Sequence, residues 1–326
     1  MAVLQEMLNQ YGQNTAILRA RFKWHDATQI RAAAFALALK GIEVDAAGAQ
    51  TALDLIKTKT GMLSPFRGRV AQLPMACLLS AYEDSEGALQ RSMEVYDALR
   101  GRRFWASEHL AHAALLVSLK NTGQDSASHA ETARIILDEL KTMHPLLTTS
   151  DRYIQVILLA QNPHDPRDSA HAVERIYENA RPAFSWKSGA YTTAQALAAL
   201  DKPDAVYSIF DISEELKRRG YNAQWHSAPA SLALLALLAL ILQEDPREIA
   251  ENVSAIAQTL KGIRELGPAW SIAKSELIMT GAAFAVAEKI DISAPVSAAS
   301  LVCPYDIIYS QAVGYLIMLA QSSAGA

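Results

Sequence analysis

The residues best equipped for chemistry are Glu108-His109-Leu110-Ala111-His112. Histidines three apart on a helix project to one side, and imidazole nitrogens bind metals or move protons near neutral pH. The zinc-protease pattern His-Glu-x-x-His sets its carboxylate between the histidines, whereas Glu108 precedes both. A metal at His109 and His112 needs a further ligand from elsewhere in the fold. Without one, two polar side chains hydrogen-bonded beside an apolar layer is the plainer account, and no metal is expected. A second group is cationic. Arg100, Arg102 and Arg103 precede Phe104-Trp105, and Lys217-Arg218-Arg219 precede Gly220-Tyr221. Arginine holds carboxylates and phosphates in bidentate fashion, but cations at helix C-termini also offset the helix dipole. Arg67, Lys187, His25 and His226 each follow a bulky apolar residue. Aligned in space, Arg67, Arg100, Arg102, Arg103, Lys187 and His226 form a basic edge for a partner. Gly-x-Ser-x-Gly, Walker and dinucleotide motifs are missing from the sequence, so no catalytic or cofactor-binding residue is assigned and no cofactor is expected.

A fixed interval runs beneath these groups. Asp165-Pro166-Arg167-Asp168 recurs as Asp245-Pro246-Arg247-Glu248, and Asp45, Asp84, Asp125, Asp165, Asp204 and Asp245 are separated by 39, 41, 40, 39 and 41 residues. Twenty-one residues after the first five stand Phe66, Trp105, Leu146, Trp186 and Trp225. A carboxylate at a helix start accepts from unpaired backbone N–H groups, proline is tolerated in the first turn, and Glu248 suggests a capping box. Sixteen residues on come Gly61, Arg100, Lys141, Arg181, Gly220 and Lys261, which suit a helix C-terminus. The period of about 40 exceeds the roughly 34 of tetratricopeptide repeats and suits HEAT-like pairs of about 40–47.

The expected fold is all-α: an α-solenoid of about seven antiparallel hairpins, curved into a superhelix or closed into a toroid. It forms one domain over 1–326, with units starting near Val3, Asp45, Asp84, Asp125, Asp165, Asp204 and Asp245 and a C-terminal cap over 291–320. First helices carry one apolar stripe, as in Ile249, Val253, Ile256, Leu260 and Ile263, and belong outside. Second helices are apolar nearly all round and belong inside. The bulky residue between them, including Trp24, Trp105, Trp186, Trp225 and Trp270, is expected to wedge each hairpin closed. Trp270 stands 25 residues after Asp245, which predicts a longer first helix in that unit.

Charge and composition narrow the classes. The formal charge is −4 with Lys and Arg dispersed along the chain, which argues against nucleic acid. Cys77 and Cys303 lie far apart among apolar neighbours and read as buried thiols. The most apolar run, Ala228 to Leu242, is shorter than the roughly 20 residues needed to span a bilayer. No secretion signal opens the sequence, so a cytoplasmic protein without a membrane partner is expected.

Gly61-Met62-Leu63-Ser64-Pro65-Phe66-Arg67, the helix ending Met75-Ala76-Cys77-Leu78-Leu79, and Val95-Tyr96-Asp97-Ala98-Leu99 together resemble an uncharacterised bacterial family, the domain of unknown function numbered 4003. Phe22-Lys23-Trp24 and the later hairpins agree in kind, so the resemblance covers most of the chain. It implies an all-helical, bacterial, intracellular protein and carries over no activity, cofactor or catalytic residue. Solenoids present large surfaces to partners; the leading expectation is therefore a binding or scaffold protein that engages a protein or peptide on its inner-helix face. The rival is a hydrolase- or lyase-type α/α toroid using scattered groups such as His109, His112, Tyr153 and Tyr191. Geometry separates them: an open array opposes the enzyme, and a ring enclosing convergent ionisable groups opposes the binder. The oligomeric state is open.

Overall fold

A computed structural model describes residues 2–39, 41–68, 72–102, 104–120, 126–199, 201–221, 243–268 and 272–289. Among them are thirteen α-helices and no strand: α1 (Ala2–Arg21), α2 (Ala27–Leu39), α3 (Ala46–Lys59), α4 (Gln72–Ser80), α5 (Ser85–Arg100), α6 (Glu108–Lys120), α7 (Ser126–Met143), α8 (Tyr153–Leu159), α9 (Pro166–Ala180), α10 (Lys187–Ala199), α11 (Ile209–Arg218), α12 (Pro246–Gly262) and α13 (Lys274–Lys289). The segment after α11, residues 222–242, and the expected cap over 291–320 lie outside the described residues.

The repeated aspartates do what their position predicts in four cases. Asp45, Asp84, Asp165 and Asp245 accept from the backbone N–H groups of Ala47, Gly87, Arg167 and Arg247 respectively. Asp204 is the exception. It lies inside the 3-10 turn Pro203–Ser208, and α11 starts later from Ser208 without a side-chain cap. The capping box at Asp245 also fails, because its carboxylate takes the N–H of Arg247 while Glu248 N–H bonds the Asp245 carbonyl. Asp125 is outside the described residues. At the far ends the basic or glycine positions hold. Gly220, at φ 84°, follows α11 in the left-handed conformation, and Tyr221 N–H closes onto Leu216 O, the glycine stop in its usual form.

Consecutive helices pack as antiparallel pairs: α1 with α2, α3 with α4, α5 with α6, α7 with α8, α9 with α10, and α12 with α13. First helices bury a stripe, such as Ala170, Val173, Ile176, Tyr177 and Ala180 on α9. Second helices are buried all round, and in α10 every residue from Gly189 to Ala199 is inaccessible. Small side chains, mostly alanine, let such a helix be covered on every side.

Neighbouring first helices are joined in one repeated manner. Lys59 pairs with Glu86 (2.5 Å), Arg102 with Glu131 (3.1 Å), His144 with Glu174 (2.5 Å) and Arg219 with Glu251 (3.5 Å). Each pair links the C-terminal end of one first helix to the first half or the middle of the next. Exposed pairs contribute at most about 1 kcal/mol, so they fix register more than stability. The junction between α12 and α1 follows the same rule. Ile263, at the end of α12, lies so close to the middle of α1 that a Cβ on Gly12 would stand 3.1 Å from its Cγ2. Arg19 Nη2 also donates to Leu266 O at 3.0 Å. Among second helices, α13 packs on α2: Phe35 meets Phe284 edge-on at 5.3 Å, and Arg31 forms a bidentate pair with Glu276 at 2.6 and 3.0 Å. The path of contacts thus returns to its start.

Two expectations fail here. The bulky residues between helices do not wedge the hairpins. Trp24 is 98% exposed, Trp105 75%, Leu146 88% and Trp186 52%, and only Phe66 is buried. The wedges are their neighbours Phe22, Phe104 and Phe184. In an extended connection adjacent side chains alternate sides, so burying Phe104 turns Trp105 outward. The unit of Asp245 also gains no long first helix: α12 has 17 residues against 18 in α7. Extra length goes instead into the 3-10 turn Arg264–Leu266. Trp225 and Trp270 are outside the described residues.

Candidate functional site

The connections within pairs meet around one end of the molecule. Trp105 N–H donates to Tyr153 Oη (3.2 Å), Arg152 donates to Ser188 (2.8 Å) and to Thr192, and Lys274 donates to Gly220 O (3.3 Å). At this end a cleft of about 630 Å³ opens between the second, third and fourth pairs. Ser64, Arg67 and Gly68 line it from one connection, Glu108 and His109 from the start of α6, and Ser150 from the next connection, with Met62 and Leu63 at its mouth.

Local chemistry explains most of these side chains. Arg67 turns back on α3, donating from Nε to Thr60 Oγ1 (3.2 Å) and from Nη2 to Thr60 O (2.7 Å); it satisfies a helix end. Ser107 Oγ accepts from Leu110 N–H at the start of α6. The Glu108 side chain lies directly over Gly68, where a Cβ would fall 1.9 Å from Glu108 Cδ, so the close approach depends on glycine. His109 is almost wholly buried at the cleft wall, and His112 is fully buried one turn deeper. Burial, with a smaller contribution from His109, pushes His112 down to about 3, so it is neutral near pH 7. No cluster of three metal-ligating side chains occurs among the described residues.

The other proposed groups are dispersed. Tyr153 is buried with its ring against Phe104 (4.9 Å), and Tyr191 Oη pairs with Thr148 (3.0 Å), burial holding the phenol up at about 12. Both brace connections. Arg102 is spent on Glu131, while Arg100 and Lys187 are exposed. Arg103 and His226 lie outside the described residues. Of the second helices, α2 and α10 are buried almost throughout and offer no exposed face.

Six of the nine large apolar side chains exposed among the described residues converge, while Val3, Tyr207 and Phe210 lie elsewhere. Trp24, Met62, Leu63, Trp105, Leu146 and Trp186 are all more than half exposed and stand on the connections of five consecutive pairs, at the end that holds the cleft. Charge separates along the same axis. Among described residues, the connections within pairs (18–27, 56–68, 97–108, 140–153, 177–187, 215–221, 259–274) hold eighteen Lys or Arg against seven Asp or Glu. The connections between pairs (36–49, 77–88, 117–129, 156–169, 196–212, 243–249) hold thirteen Asp or Glu against four Lys or Arg. Charges dispersed along the chain in phase with the repeat are gathered in space. Sequence reading missed Arg31 and Glu276; Arg31 is the one charge in α2, whereas Glu276 shares α13 with Lys274, Glu288 and Lys289.

No helix among the described residues is long and apolar enough to cross a membrane. No curated protein and no solved structure matches the chain. A family model does match, over residues 14–313, and the chain belongs to that family, described as protein of unknown function (DUF4003).

Proposed function

We propose that this protein is a binding or scaffold protein, one helical-repeat domain closed into a toroid of about seven hairpins, which docks by the end that carries the connections within pairs. The observation that carries the reading is the set of large apolar side chains exposed there. Burying one such side chain gains about 1.5–3 kcal/mol, and six of them share this one end. Each hairpin already has a buried aromatic such as Phe22, Phe104 or Phe184, so packing within the fold does not account for the outward tryptophans. The test is photo-crosslinking in the native cell with benzoyl-phenylalanine at positions 24, 105 and 186, and at Glu83 on the opposite end. Adducts confined to the tryptophan positions support the reading; equal yields at both ends, or none, sink it.

A second reading has one observation in its favour. The cleft brings Glu108 and His109 together beside Arg67, which suits a hydrolase or lyase pocket. If it is catalytic, Glu108→Gln abolishes any hydrolysis detected in a substrate screen while leaving stability unchanged.

A further inference from the structure

We propose that the occupant of this end is the surface of an anionic lipid bilayer, bound peripherally with the tryptophans at headgroup depth; the inference rests on the docking reading above. Three features point to it. First, the side chains are those of an interface. Tryptophan with adjacent lysine is the combination that settles between water and acyl chains, and Lys23-Trp24 and Trp186-Lys187 provide it twice. Lys23 and Lys187 are exposed and take no ion-pair partner among the described residues.

Second, the arrangement suits a plane. The exposed groups stand on five successive connections, one on each except for Met62 and Leu63, which share one, and neighbouring connections lie at least one helix spacing of about 8–10 Å apart. Tips spread along the rim at one end of a ring touch a flat surface together. A peptide is held in a continuous groove or along a strand edge, and the cleft is confined to the second, third and fourth pairs. Third, the charge is polarised. The docking end carries eighteen cations against seven carboxylates and the far end thirteen carboxylates against four cations, with Lys59 and Glu86, counted at opposite ends, neutralising each other at 2.5 Å. An anionic surface therefore attracts one end and repels the other, orienting the protein before contact. A neutral bilayer lacks this steering.

Vesicle co-sedimentation tests the inference, using phosphatidylcholine vesicles and the same vesicles containing phosphatidylglycerol. The expected result is partitioning onto the anionic vesicles alone, weakened by salt, with the intrinsic tryptophan emission shifting to the blue. Lys23→Gln and Lys187→Gln each weaken partitioning roughly fivefold. Trp24→Ser, Trp105→Ser and Trp186→Ser combined abolish it, while cooperative urea unfolding shows that the variant stays folded. Phe210→Ser, an exposed residue near the start of α11, serves as control and leaves partitioning intact. Failure to sediment with anionic vesicles, equal binding to neutral ones, or equal loss in the Phe210 variant overturns the inference. Should vesicles fail while positions 24, 105 and 186 crosslink to a protein, the lipid inference falls and the docking end stands. If both experiments fail, both readings fall.

Discussion

Arg31 and Glu276 meet with side chains only 4% and 5% exposed, joining helices 245 residues apart. A buried pair of this kind is costly to break, because the partner left behind keeps its charge without compensation. Glu276→Ala should lower unfolding stability by about 3–5 kcal/mol, whereas Arg31→Met with Glu276→Leu should be close to neutral; urea titration of the three variants checks both. The buried histidines make a separate prediction in pH. His112 is pushed down to about 3 and His129 to about 4, in both cases chiefly by burial. Below about pH 6.5 the unfolded chain takes up protons that the folded one refuses. Their contribution is therefore present above 6.5 and is lost as the pH falls toward 3–4, by about 1.4 kcal/mol per pH unit for each fully titrating group. His112→Leu should flatten the fall of the urea midpoint between pH 6 and 4. At this scale the sequence showed which residues are charged but not which ones meet. Arg31 stands in a run of alanines, and nothing local announces a partner so far along the chain.

The helices were far more legible, because their signals are local. Capping aspartates, first-turn prolines and apolar stripes act within a few residues, and α2 spans the same Ala27–Leu39 that the pattern marks. Asp165→Ala and Asp245→Ala should each cost about 1 kcal/mol. Asp204→Ala should change stability by less than about 0.5 kcal/mol, because Asp204 lies within a 3-10 turn and caps no α-helix. Comparing thermal midpoints of the three variants separates position in the repeat from position in the structure. The wedge was misread for a reason of the same scale. Periodicity selects the tryptophan, but the path of the connection decides which of two neighbouring aromatic residues turns inward. Phe104 and Trp105 are adjacent, and one is buried while the other is three-quarters exposed.

The contact of the last described pair with α1 and α2 belongs to the whole molecule, and the proposed closure was legible only as an alternative, since each junction between pairs looks alike in sequence whether or not the last meets the first. In the structure α1 receives the end of α12 near its middle, as α9 receives the end of α7. Gly12→Leu forces a side chain against Ile263 at that junction alone. Hydrogen exchange should then accelerate in α1 and α2 and in α12 and α13 together, while α7 to α10 keep their protection. Acceleration confined to α1 would show that the junction adds nothing to the far side. Charge polarity is another property of this scale: cations and carboxylates placed in phase at opposite ends of parallel first helices sum to a molecule with two unlike ends. Closure also bears on how such a chain evolves. An open array can gain or lose a unit by duplication and stay folded, because each unit leans only on its neighbours. The proposed ring has a circumference, and removal of residues 125–164, one period, would leave the Arg31–Glu276 contact to be remade around a smaller circle. On that proposal copy number, free to drift in open repeat proteins, becomes a fixed quantity, so lineages carrying this fold should diverge by substitution and hold their count of hairpins constant.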